Sequence, residues 1–220
     1  LGVMEVDGGS AIIKGFLGIG RYRDAHDRSG RGLVDVKAGR LASTSIARML
    51  LVGEEGFGVL NIRGSGQVTC ASRVIIGAGT LAAPGTGQVN LLKGGSLTTS
   101  SIAQLNPSRA TGFLYLDGGI LKAGGSNSTF MADLDSAWVG PDGAIIDTEG
   151  FDITISQALL APSGDGVGSI PVDFGGTGYF APPPIDIVGG GGSGATAVAN
   201  VSDGSIKSLT ITSPGSRYTS

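Results

Sequence analysis

The chain has one cysteine, Cys70, one histidine, His26, and no long apolar run. A lone cysteine rules out an intrachain disulfide. No segment approaches the roughly 20 apolar residues that a membrane-spanning helix needs, and no signal peptide is visible. With 15 basic and 18 acidic residues, the net charge of −3 is too small to indicate a nucleic-acid partner. We therefore expect neither direct membrane insertion nor nucleic-acid binding.

Glycine, in contrast, is abundant, with 41 copies among 220 residues, against an average usage of about 7%. It does not recur at every third position, which excludes collagen. Aliphatic and β-branched residues alternate between the glycines, which argues against disorder. No segment shows the periodicity of an amphipathic helix. The composition therefore predicts many short strands joined by tight turns.

One short pattern, glycine–any–apolar–any–apolar, returns five times in the first half of the chain. Its glycines lie 30, 26, 29 and 25 positions apart. A repeat of this length built from short alternating strands indicates a solenoid. The copies occupy residues 2–6, 32–36, 58–62, 87–91 and 112–116.

Alternation within each copy predicts which side chains point inward. The apolar positions are predicted to stack into one core column: Met4, Val6, Val34, Val36, Leu60, Ile62, Val89, Leu91, Leu114 and Leu116. The residues between them are predicted to face solvent: Glu5, Asp35, Asn61, Asn90 and Tyr115. Asn61 and Asn90 are further expected to form a short side-chain ladder between windings.

Two more strands are predicted in each winding. The second is marked by Leu41, Val68, Leu97 and Leu121, and the third by an apolar pair ending in glycine, at residues 17–20, 51–53, 75–77 and 138–140. Three strands and three corners predict a right-handed parallel β-helix of five or six windings over residues 1–160. Residues 21–31, 78–86, 104–111 and 124–137 are expected to be loops that bulge from one corner and carry binding. Residues 161–220 predict a small antiparallel β module, so the fold class is all-β.

The repeats resemble the autotransporter-associated or PEP-CTERM-associated β-strand repeats of secreted bacterial proteins. The similarity lies in residues 52–62 and 76–91, in the Gly-Gly-x-Leu pieces at 94–97 and 118–121, and in the later stretches 144–148 and 153–157. Residues 189–218 are similar to a glycine-tyrosine repeat of large secreted and phage-tail proteins, with Arg217 where the second Gly-x-Gly-Tyr usually has glycine. The resemblance implies a β-helix segment of an extracellular or cell-surface protein and carries over no catalytic residues.

The sequence offers few candidates for chemistry. His26 lies between Asp24 and Asp27, but three nearby arginines favour a solvated loop over a metal or acid–base site. We predict no enzyme activity, no catalytic residues, no metal and no cofactor.

The candidate ligand contacts are aromatic and acidic. Phe113 and Tyr115 are expected to point outward, and Asp133 and Asp135 lie close to Trp138 in the longest predicted loop. A tryptophan beside acids can stack on a sugar ring. The calcium-loop pattern is absent, because its mid-loop glycine and terminal glutamate are missing. The position of Trp138 before Val139-Gly140, in the third-strand column, favours burial in the core.

These observations predict a non-enzymatic structural or adhesive segment of a larger secreted protein, a rigid stalk that presents loops or a distal domain. Its partners are expected to be cell-surface glycans or like subunits. One alternative is a polysaccharide-binding or polysaccharide-cleaving β-helix of the tailspike or lyase kind. A second alternative is a subunit of a self-assembling extracellular fibre. The chain is expected to be a piece of a longer protein.

Overall fold

The structure, a computed structural model, describes residues 2–21, 30–80 and 83–219. The chain forms two compact units, residues 1–161 and 162–220. The described residues contain strands and a short 3-10 turn at Pro107–Arg109 but no α-helix. The predicted all-β class is therefore confirmed.

The first unit is a parallel β-solenoid, as predicted. Its strands are β1 (Gly2–Ile13), β2 (Leu17–Arg21), β3 (Arg31–Ser43), β4 (Leu50–Glu54), β5 (Phe57–Ile62), β6 (Gln67–Ala78), β7 (Gly85–Leu92), β8 (Ser96–Leu105), β9 (Ala110–Asp117), β10 (Ile120–Ala123), β11 (Asn127–Met131), β12 (Ser136–Val139), β13 (Ile145–Asp147), β14 (Ile153–Ile155) and β15 (Leu159–Leu160).

The strands of successive windings stack in parallel on three faces. The first face holds β5, β7, β9, β12 and β15 together with the first halves of β1 and β3. The second face holds the second halves of β1 and β3, the first halves of β6 and β8, and then β10 and β13. The third face holds β2, β4, the second halves of β6 and β8, and then β11 and β14.

The predicted inward column is confirmed. Along the first face Val34 pairs with Leu60, Leu60 with Val89 and Val89 with Leu114. These side chains join the second-face and third-face aliphatics in one hydrophobic cluster that continues from winding to winding. Because a one-residue slip would turn the whole column outward, burial on this scale fixes the register of every strand.

Glycine occupies the next-to-last position of the third strand because the next winding leaves no room for a side chain there. Gly53 has φ +78°, and a Cβ atom at this position would lie 2.0 Å from the carbonyl oxygen of Thr86. Gly20 and Gly77 meet the carbonyl oxygens of Phe57 and Thr111 in the same way. The predicted third strands at 17–20, 51–53 and 75–77 thus lie on one face, as expected.

Two sequence predictions about this region are wrong. Trp138 lies in β12, which pairs with β9 on the first face, not in the third-strand column. The third-face position of that winding is occupied by β11, so residues 124–137 are not a loop. The sequence did not predict a third-face strand at Asn127–Met131, because this segment lacks the apolar pair followed by glycine. Only its last two side chains are buried.

The second unit is built on an antiparallel hairpin of β16 (Ser193–Ser202) and β17 (Ser205–Ser216), which confirms the predicted antiparallel module. Asp203 and Gly204 connect the strands with φ of 53° and 70°. Two consecutive positive φ values are typical of the type I′ turn that matches strand twist.

In the second unit the Tyr218 ring packs directly on glycine backbone. A Cβ atom at Gly192 would lie 2.4 Å from the Tyr218 ring, so the ring packs on bare backbone. Gly215 and Arg217, in the last Gly-x-x-Tyr stretch, both have positive φ, of 66° and 63°. Arg217 therefore holds a left-handed conformation, which glycine adopts at less steric cost.

Candidate functional site

The outer side of the first face is largely closed to solvent, which corrects the sequence prediction. Asp35, Asn61, Asn90 and Tyr115 are only 0–3% exposed, and Glu5 alone among the five outward positions is exposed. Strands of neighbouring windings lie about 4.8 Å apart, so side chains in one outward column cover one another. Alternation identified the outward direction correctly but could not reveal this mutual shielding.

A buried amide ladder runs along this side. Gln88 Nε2 donates to Asn90 Oδ1 at 2.8 Å, and Asn90 Nδ2 donates to Asn61 Oδ1 at 2.7 Å. The predicted Asn61–Asn90 ladder is thus confirmed. Asn61 Nδ2 is buried and has no hydrogen-bond partner among the described residues. The sequence pattern missed Gln88, which joins the ladder from the neighbouring outward column.

Two ion pairs extend the ladder toward the first winding. Lys37 donates to Glu5 at 2.6 Å, and Arg63 forms a bidentate pair with Asp35 at 2.7 and 2.9 Å. In each pair the acid lies mid-strand and the base lies at the corner of the next winding. The hydrogen bond to Asp35, aided by its charge, raises the pKa of Arg63 against the opposing effect of burial.

The aromatic candidates form one group at the other end of this side. The Phe113 and Trp138 rings stack with centroids 5.2 Å apart. Trp138 is 6% exposed, but it is not buried in the core as predicted, because it pairs with Tyr115 in the outward column. Phe113 is half-buried. Tyr115 donates to Asp117 Oδ2 at 3.3 Å. Burial, followed by the nearby charge of Asp117, raises the pKa of Tyr115 to about 12.

The two acidic candidates, Asp135 and Asp133, differ in their surroundings. Asp135 Oδ2 accepts hydrogen bonds from the Gly112 backbone at 2.8 Å and from Gln104 Nε2 at 3.0 Å. Asp133 is exposed and has φ +62°. Asp135 therefore links two windings, and Gln104, 31 residues earlier, gave no local signal of this contact.

Metal-binding and thiol chemistry find little support in the described part of the chain. No group of three or more His, Cys, Asp or Glu residues occurs there that could hold a metal ion. Burial raises the pKa of the Cys70 thiol, whose Sγ lies 3.5 Å from the Arg73 carbonyl oxygen.

His26 and its neighbours at 22–29 lie outside the described residues. In the described part of the chain, no helix has the length and apolar character needed to cross a membrane.

Two open cavities lie away from the predicted contact residues. One, of about 380 Å³, is lined by residues of β1, β2 and β3, including Met4, Leu17 and Val34. The other, of about 390 Å³, lies in the second unit and is lined by Asp165, Ile187 and Tyr218 among others. Among the described lining residues, neither cavity gathers an acid–base pair or a nucleophile with a base.

No family model, curated protein or solved structure matches this chain.

Proposed function

We propose that this chain is a structural segment of a secreted or surface-displayed protein, in which the solenoid acts as a rigid stalk. The observation that carries the proposal is the uninterrupted interior column, in which aliphatic side chains from each winding pack on those of the next. The resemblance of residues 52–62 and 76–91 to β-strand repeats of exported bacterial proteins supports the extracellular location.

The stiffness follows from how neighbouring windings are joined. Each contact combines three parallel strand ladders with packing of the buried column. Bending the stack would open backbone hydrogen bonds on one side and expose aliphatic surface to water. Such a stack suits a spacer that holds other parts of a protein at a distance.

Single-molecule force spectroscopy on the full chain tests the stalk. The glycines of successive copies are 25–30 residues apart, so release of one winding should lengthen the chain by about 90 Å. We expect repeated steps of this size. A Leu91→Asp variant should lose them, because it buries a charge in the column, and an outward Thr98→Asp variant should keep them. Release of residues 1–161 in one low-force step would contradict the proposal.

Adhesion to cell-surface glycans is the proposed use of the stalk. Among the predicted contact residues, Phe113 is half-buried, and Asp133 and Asp135 are exposed. A glycan array probed with the full chain tests this, with Asp133→Asn as the variant because asparagine tolerates the positive φ. If the variant binds each glycan that the wild type binds, and equally strongly, then Asp133 is not part of the contact surface.

Assembly with like subunits is the second candidate function. The last winding exposes Ile145, Phe151, Leu159 and Leu160, with side chains 36–53% accessible. Exposed apolar groups beside short edge strands favour association with further strands. Light scattering should show mass rising with concentration and falling in a Leu160→Lys variant. A constant monomer mass would count against assembly.

A further inference from the structure

Three cations lie at one corner of adjacent windings of the solenoid, where the second face turns into the third. Lys14 follows the end of β1, Arg48 precedes β4, and Arg73 lies at the turn within β6. The Thr44 amide donates to the Ile13 carbonyl at 3.1 Å, which places the first two windings together here. The pairing of Leu50 with Val74 brings Met49 beside Arg73 in the third. We call Lys14, Arg48 and Arg73 the basic corner.

Within the described residues, the basic corner differs from most other cations of the solenoid because none of its three side chains is paired with an acid. Lys37, Arg63, Lys93 and Lys122 each form an ion pair with a carboxylate. Lys14, Arg48 and Arg73 are exposed and have no hydrogen-bond or ion-pair partner for their side chains among the described residues.

The sequence around the corner maintains this imbalance. Residues 36–53 and 56–116 contain no aspartate or glutamate. A further exposed cation, Arg40, lies on the second face, paired in register with Gln67. Unneutralised charges of one sign on adjacent windings sum to a positive potential that attracts anions.

Aliphatic side chains project among these cations. Ile46, at the tip of the longest connection at this corner, is 83% exposed, and Ile12 is 55% exposed. The aromatic ring at the same corner, Phe16, is covered by the Arg21 guanidinium at 4.4 Å from its centroid. The corner therefore presents cations around bare aliphatic groups instead of a free ring on which a sugar could stack.

We propose that the basic corner binds the surface of an anionic phospholipid membrane. The cations contact headgroup phosphates, and Ile46 enters the boundary between headgroups and acyl chains, where its aliphatic surface leaves water. Aliphatic side chains offer no stacking surface to a polysaccharide, so charge together with Ile46 favours a lipid surface. This inference goes beyond the stalk and does not depend on it.

Each cation near such a surface contributes about 1 kcal/mol, which corresponds to about a fivefold change in partitioning. Replacing Arg48 with glutamate removes one attractive charge and adds a repulsive one. We therefore expect Arg48→Glu to weaken binding by more than tenfold. The attraction is screened by salt, since the Debye length falls from about 10 Å at 0.1 M toward 3 Å at 1 M.

Sedimentation of the full chain with vesicles tests the proposal. The vesicles contain 30% phosphatidylglycerol in phosphatidylcholine, or phosphatidylcholine alone, in low and high salt. We expect binding to the anionic vesicles only, lost in high salt, more than tenfold weaker in Arg48→Glu and severalfold weaker in Ile46→Ser. Arg109→Glu, an exposed cation at another corner, and Val188→Ser, an 85% exposed aliphatic, are the matched controls.

Several results would overturn the assignment. Equal binding to neutral and anionic vesicles would remove the role of charge, and equal losses in Arg48→Glu and Arg109→Glu would remove the role of this corner. Full binding by Ile46→Ser would show that charge alone holds the chain on the vesicle and would overturn the proposed entry of Ile46 into the lipid surface. Absent vesicle binding, with an Arg48-dependent change in oligomer mass, would assign the corner to contact between copies. Thermal unfolding of each variant confirms that it is folded.

Discussion

Tyr115 illustrates at the scale of a single residue how an outward position becomes part of the fold. Its phenol is 3% exposed and donates to Asp117. An unfolded tyrosine has a pKa of about 10, and burial raises that of Tyr115 to about 12 in the folded chain. Since the folded state favours the protonated phenol, this contribution to stability is fully present below about pH 10 and is lost as pH rises through about 12.

A Tyr115→Phe variant should therefore respond less to alkaline pH. Urea unfolding between pH 9 and 12 should show the wild-type free energy of unfolding falling more steeply, by on the order of 2 kcal/mol over the range. Tyrosinate absorbance of the wild type should show one phenol titrating near the top of this interval. Parallel curves for the two proteins would contradict the argument.

Asp135 is the second residue whose role lies in the fold. Its carboxylate accepts a backbone and a side-chain hydrogen bond from the preceding winding. Asp135→Ala leaves the Gly112 amide and Gln104 without this acceptor, so we expect a loss of about 1–3 kcal/mol in the free energy of unfolding. Asp133→Asn, which removes a charge from an exposed turn, should change it by less than about 0.5 kcal/mol. Similar effects of the two variants on thermal unfolding would rule out the linking role.

At the scale of elements, the third strand depends on the glycine at its next-to-last position. Gly53→Ala combines a positive φ with a methyl group that would overlap the Thr86 carbonyl oxygen. We expect a loss of about 3 kcal/mol or more, or failure to fold, because backbone atoms cannot move aside. Gly125 is the matched control, since it has open space around its Cβ position and no positive φ. Circular dichroism melting of both alanine variants measures the contrast, and equal stability would refute it.

In the last turn of the hairpin unit, a change to glycine is expected to stabilise the fold. Arg217 adopts φ +63°, and its Nε lies 3.5 Å from Ser163 Oγ, a long and weak contact. Arg217→Gly relieves a left-handed conformation worth about 1–2 kcal/mol, offset in part by a more flexible unfolded chain. We expect a net gain of up to about 1 kcal/mol in chemical denaturation. Destabilisation by the glycine would show that the Arg217 side chain contributes more than its contacts indicate.

At the scale of the whole molecule, the repeat makes the winding the unit that can be removed. Gly58 pairs in register with Gly87, so deletion of residues 58–86 joins Phe57 to Gly87 at an equivalent point. Repeat stability is roughly a sum over windings and their contacts, so this variant should fold with reduced stability. Deletion of residues 58–71 removes half a winding and should prevent folding. Hydrogen exchange and circular dichroism distinguish the outcomes; two equally folded deletions would refute the repeat model.

The sequence by itself determined the solenoid, the inward columns and the final hairpin. Periodicity carried this information because each strand of a parallel stack must show apolar side chains to the same interior, and the turn at Asp203-Gly204 needs residues that accept positive φ. These are local requirements, so local patterns reveal them.

Only the tertiary structure decided what the outward positions do. The burial of Asp35 and Asn61, the link from Gln104 to Asp135 and the place of Trp138 on the first face all depend on residues one winding away. The same is true of the basic corner, whose cations lie about 25–35 residues apart in sequence. The physical reason is that stacking brings side chains within contact distance at intervals set by loop length, which varies from winding to winding and leaves no local pattern.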